Sequence, residues 1–134
     1  MRKQKNLVSD QAEMEAILQK ALVMHLAMCR GEQPYLVPVN FAYADGRIYF
    51  HTGHKGMKMD FMAANDRVCF EVDTEVKLLP AEGPCDWSVR YESVVGFGRA
   101  RKVEDQAERL KGLRLIMEHY NGPGEYEFPA PNLA

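Results

Sequence analysis

The sequence predicts a mostly β fold, a small antiparallel barrel with a helix at either side, and three observations carry that expectation. Apolar and polar residues alternate in short runs, as in Val68, Phe70 and Val72 against Cys69, Glu71 and Asp73, the period of a half-buried strand. The turns between such runs are tight, at Arg30-Gly31-Glu32 and Asp45-Gly46, the second a strong hairpin signal. Long helical periodicity is confined to two segments, one near each end. Strands in series with short turns build antiparallel sheets and barrels, whereas a doubly wound sheet alternates strand and helix throughout.

Ser9 to Lys20 is the first predicted helix, capped by Ser9 or Asp10, with Glu13 in its first turn and Met14, Ile17, Leu18 and Ala21 on a core face. Leu22 to Cys29 is the first strand and Tyr35 to Tyr43 the second. Pro38 cannot donate a ladder hydrogen bond, so an edge, a bulge or an exposed stretch is expected there, with Asn40 on the same face and backbone groups free for a ligand. Ile48 to His51 is a strand, Gly53 to Gly56 a loop, and Met57 to Ala64 a helix ending near Asn65. Val68 to Val76 is a strand. Lys77 to Asp86, with Pro80, Gly83 and Pro84, reads as a long binding loop that ends at Trp87, which either stacks on a ligand or packs. Tyr91 to Val103 is a strand whose Gly96 and Gly98 allow close packing or a bend. Glu104 to Tyr120 is a second long helix, its apolar stripe formed by Ala107, Leu110, Leu113, Met117 and Tyr120, stopped by Asn121-Gly122-Pro123-Gly124. Glu125 to Ala134 reads as an extended tail.

Composition bounds the function. A chain of 134 residues, 46% apolar and 27% charged, is enough for one domain with a core. A net charge of −2 argues against a general nucleic-acid binder. No segment has the length or hydrophobicity of a membrane span, and Asp10, Glu13 and Glu15 interrupt any signal-like segment after the basic Met1 to Lys5. Cys29, Cys69 and Cys85 are odd in number and far apart, which makes the cytoplasm the expected compartment.

The chemistry centres on Arg47 to Asp60, RIYFHTGHKGMKMD, a strand, loop and helix start. His54, Lys55 and Lys58 add positive charge where the helix terminus is already positive. Two readings fit: a phosphate held by the helix N-terminus with Lys58 and the Thr52 hydroxyl, or a solvated basic patch. His51 and His54 at i, i+3 lack a third ligand nearby, His25 and His119 read as ordinary, and no cysteine shows a base that would make it a nucleophile.

The runs PYLVPVNFAYADGRIYFHTGHKGMKMDFMAANDRVCFEVD and CDWSVRYESVVGFGRARKVED, within Leu22 to Tyr120, closely resemble the nitroimidazole-resistance proteins of the pyridoxamine 5′-phosphate oxidase-like, FMN-binding split-barrel superfamily. The resemblance implies an antiparallel split barrel that forms a homodimer, with FMN in two clefts between subunits. It places the backbone of Val37, Pro38, Val39 and Asn40 against the flavin ring, His51 and Thr52 along the ring and ribityl chain, Lys58 on the phosphate and Ser93 at the interface. Met57 stands where relatives often carry a second basic residue, a charge that Lys55 or His54 could replace. Relatives continue past the second long helix into a last barrel strand, whereas this sequence ends at Ala134. Either that strand is missing from it or the barrel closes differently.

The expected function is an FMN-dependent oxidoreductase that reduces a small acceptor such as a nitroimidazole or other nitroaromatic. His51 is the expected catalytic residue, a hydrogen-bond donor or proton source near the flavin. A non-catalytic flavin-binding protein for storage or sensing is the alternative. A pyridoxamine 5′-phosphate oxidase would carry a further basic cluster, which is absent from the sequence.

Overall fold

The computed structural model describes residues 10–53 and 55–124. Ser9 as a cap, the basic N-terminal run, His54 and the Glu125–Ala134 tail lie outside the described residues. Asp10 accepts the Ala12 N–H at 3.2 Å and caps α1 (Gln11–Lys20), which buries Ile17 and Leu18. β1 (Met24–Arg30), β2 (Gln33–Val39), β3 (Phe41–Ala44) and β4 (Arg47–Phe50) follow. Asp45 and Gly46 turn the β3–β4 hairpin at φ 53° and 74°, the left-handed pair that a two-residue hairpin turn needs. After α2 (Met57–Ala64) come β5 (Arg67–Leu79), a short 3-10 turn at Pro84–Asp86, β6 (Ser88–Arg99) and α3 (Gln106–Asn121).

The pairing is antiparallel throughout, in a four-stranded sheet ordered β2-β1-β5-β6 and a separate β3-β4 ribbon. Both sheets feed one core. Phe41 comes from the ribbon, Met24, Leu26 and Val72 from the larger sheet, and Phe61 from α2, all at 2% exposure or less. The architecture is the mostly β, antiparallel split barrel with flanking helices that the sequence predicts, and among the described residues no ladder joins the two sheets into a closed cylinder. No described helix is long and apolar enough to cross a membrane.

Three expectations need correction. The predicted strand Tyr35 to Tyr43 is two strands in two sheets, broken at Asn40. Val37, Val39 and Phe41 keep facing the core across the break, so the period-2 pattern conceals the change of partner from β1 to β4. The predicted loop Lys77 to Asp86 holds for residues 80–86 but starts too early, since β5 runs to Leu79 and pairs with β6 from Ser88. A register shift between Thr74 and Lys77, with Glu75 at φ 56°, disturbs the alternation there. α3 is rotated relative to its predicted stripe. It buries Gly112 and Ile116, while Leu110, Met117 and Tyr120 stay exposed. Gly112 permits this because a Cβ there would lie 2.9 Å from the Tyr49 ring, so only glycine lets α3 settle on β4. Gly96 admits a bulky neighbour as expected, and that neighbour is the chain's own Phe70, whose ring a Cβ would overlap.

Candidate functional site

The break at Asn40 opens a cleft of about 560 Å³ between the end of β2, the end of β4, the start of α2 and one side of α3. Pro38, Val39 and Asn40 form one wall, His51 and Lys58 stand on another, and Leu113, Ile116 and Met117 line the helical side with Val23. β2 is an edge strand, the place in a sheet where proline is tolerated. Where the chain leaves β2, the Phe41 N–H donates to the Tyr120 hydroxyl at 3.1 Å, and that hydroxyl donates to the Leu22 carbonyl. His119 Nε2 donates to the Ala21 carbonyl at 2.6 Å, and its ring packs 4.9 Å from Phe41. The last turn of α3 thus fixes the wall that carries Pro38 to Asn40.

The opposite wall is electropositive for a local reason. Gly56 opens α2 at φ 130° with no side-chain cap, so the first-turn N–H groups and the positive end of the helix dipole face outward unmasked by a side chain. Half-buried Lys58 lies one residue into that turn and lines the cleft, and no described carboxylate pairs with it. An uncapped N-terminus with a lysine beside it suits one anionic group. The exposed imidazole of His51 lines the same cleft.

Of the residues singled out from sequence, Pro38, Val39, Asn40, His51 and Lys58 meet in the cleft. Val37 packs toward the core instead. Thr52 is half-buried and Lys55 exposed, and neither lines the cleft. Ser93 lies on β6 opposite Asp73, and Trp87 is exposed where β6 begins. Sequence reasoning missed Val23 and Ile116 as lining residues, and it placed Leu113 and Met117 only on an apolar helix stripe. The available signal was Gly112, which rotates that stripe toward the cleft.

Fold and cleft together define the class: a two-sheet open barrel with a ligand-sized cavity where the chain crosses between its sheets. The family model for pyridoxamine 5′-phosphate oxidase matches residues 10–132, and the chain belongs to that family. Among solved structures it is similar to a candidate 5-nitroimidazole antibiotic resistance protein of Bacteroides thetaiotaomicron, with TM-score 0.81 and 28% identity over 94% of this chain and 75% of that one. An FAD-binding protein of Mesorhizobium loti matches with TM-score 0.64 and 28% identity, covering 87% of this chain and 81% of that one. The flavocytochrome Anf3 of Azotobacter vinelandii shares the fold at TM-score 0.76 and 20% identity, over 98% of this chain and 66% of that one. An uncharacterized protein of Rhizobium meliloti is 31% identical over 65 residues, 48% of this chain and 42% of that relative's length.

Proposed function

We propose that the protein is an FMN-dependent oxidoreductase acting on a small acceptor of the nitroimidazole or nitroaromatic type. The observation that carries this reading is the convergence of Pro38 to Asn40, His51 and Lys58 on one cleft beside an uncapped helix N-terminus. The likeness to proteins named for 5-nitroimidazole resistance and for FAD binding supports it. The donor set fits the cofactor: a single anion cradle suits the one phosphate of FMN better than a pyrophosphate, and about 560 Å³ lies within the range of cofactor sites. Bound FMN would supply the electron transfer itself, from a reduced donor to the acceptor.

The chain's own groups do the rest. Lys58 and the first-turn N–H groups of α2 would hold the phosphate, and Lys55 and Thr52, nearby in sequence, would reach it only by side-chain movement. The backbone of Pro38 to Asn40, continuing from Val37, would contact the bound cofactor, and Leu113, Ile116 and Met117 would exclude water from the cleft. His51 would donate a hydrogen bond to negative charge that develops beside the bound cofactor and deliver a proton there. The working unit is a homodimer. Phe97, Leu36 and Val95, exposed by 82%, 61% and 57%, form an uncovered apolar face that supports burial against a second copy, and Ser93 shares that surface.

Flavin released by denaturation and identified by mass tests the cofactor, and a haem Soret band in its place overturns it. Lys58→Ala is expected to weaken FMN binding about 10- to 100-fold, the loss of one charge-assisted hydrogen bond. His51→Ala is expected to keep flavin and lose turnover of a nitroaromatic by a factor of about 10² to 10⁴. A colourless, cofactor-free variant would move His51 from chemistry to binding. If the wild type holds FMN yet reduces no nitro compound or quinone, storage or sensing replaces catalysis. Light scattering at micromolar concentration should give twice the 15.3 kDa chain mass.

A further inference from the structure

A second group of functional side chains lies outside the cleft, on the outer face of the four-stranded sheet. The register sets His25 of β1 opposite Glu71 of β5, and Asp73, two residues along, projects from the same face. His25 Nδ1 is 3.1 Å from Glu71 Oε1, and with an Asp73 carboxylate oxygen the three atoms lie within 4.8 Å of one another. The group is partly sheltered, the His25 and Glu71 side chains being 41% and 34% exposed and Asp73 half-buried. Among the described residues no Lys or Arg pairs with either carboxylate. Two acidic groups therefore share one imidazole on a rigid ladder, an arrangement short of positive charge.

We propose that His25, Glu71 and Asp73 bind a divalent first-row transition-metal ion, with zinc the best fit. Zinc takes imidazole nitrogen and carboxylate oxygen at about 2.0–2.2 Å in tetrahedral array, which sets neighbouring ligand atoms about 3.3 Å apart. The 3.1 Å between His25 and Glu71 already approximates one edge of that tetrahedron. Rotation about the Asp73 side chain brings in the third ligand, and the fourth position faces the surface of Leu36, Val95 and Phe97 on which the proposed second copy would pack. The imidazole selects against magnesium and calcium, which prefer six or more oxygen ligands. The site lies one strand from the cleft, since His25 also pairs with Pro38, and it requires neither FMN nor turnover.

Calorimetric titration of the purified, chelator-treated chain with zinc chloride tests it, alongside thermal melts with zinc and with magnesium. One zinc ion per chain and a Tm raised by zinc alone are expected. Asp73→Asn and His25→Ala should each lower zinc affinity at least about tenfold. Asp73→Asn keeps the side-chain shape, and its melt in chelator should match the wild type, which separates lost ligation from lost folding. Substoichiometric binding, or variants that titrate like the wild type, would overturn the proposal.

Discussion

The hairpin of β5 and β6 holds two regions that treat the same kinds of residue in opposite ways. In its first half, Arg67 to Thr74, β5 pairs with β6 and, from Cys69 to Val72, also with β1, and Val72 is wholly buried. Beyond the shift at Thr74, the paired segments Lys77–Leu79 and Ser88–Arg90 continue as a ladder, yet Leu78, Leu79 and Val89 are 59%, 42% and 47% exposed. Hydrogen bonding is present in both regions, and only the first has a second layer to bury its apolar face. Folding free energy comes chiefly from apolar area removed from water, so it is concentrated in the first half. The second half leaves its apolar surface in water.

The largest expected effect breaks the first half. Val72→Asp puts an unpaired charge in the core and should abolish the cooperative melt, whereas Leu78→Ser should change stability in a denaturant melt by no more than about 0.5 kcal/mol. A smaller effect sharpens the comparison within β6. Gly96→Ala drives a Cβ into the Phe70 ring and should cost about 1–3 kcal/mol in a denaturant melt. At Gly98 a Cβ meets nothing within 4 Å, so Gly98→Ala should be neutral or gain about 0.4–1 kcal/mol through the unfolded chain. Equal costs at the two glycines would show that the Phe70 contact is not the constraint.

The smallest effect is electrostatic. The folded state raises the Glu71 pKa, so it binds that proton more tightly than the unfolded chain does. The associated stability is fully present below 4.5 and is lost as pH rises through the raised folded value. Glu71→Gln removes this dependence. In metal-free buffer it should melt at or above the wild-type temperature at neutral pH, with the advantage vanishing below pH 4.5. A wild-type advantage that persists at neutral pH would mean that the His25 ion pair outweighs burial.

Much of the fold was legible because its signals are local. Asp45-Gly46 specifies its own backbone, and Ile17, Leu18 and Ala21 identify a buried helix face by spacing alone. The break at Asn40 was not legible, because inward-facing residues continue through it unchanged. The extension of β5 was hidden where Glu75 shifts the register. In the cleft, Pro38 to Asn40, His51 and Lys58 were reached through family likeness and helix-terminus electrostatics. Leu113, Ile116 and Met117 depend on how α3 is rotated, and the contact between Gly112 and Tyr49 that sets this joins elements distant in sequence.

The chain passes from the larger sheet to the ribbon through Asn40 alone, with no intervening loop. In mechanical terms that residue is a pivot, and the cleft occupies the angle that the pivot subtends. Any rocking of one sheet against the other must change the width of the cleft before it changes much else, and the clamp from Tyr120 to Phe41 and Leu22 damps that motion from behind. A molecule wedged between Asn40, His51 and Lys58 would act as a strut across the joint.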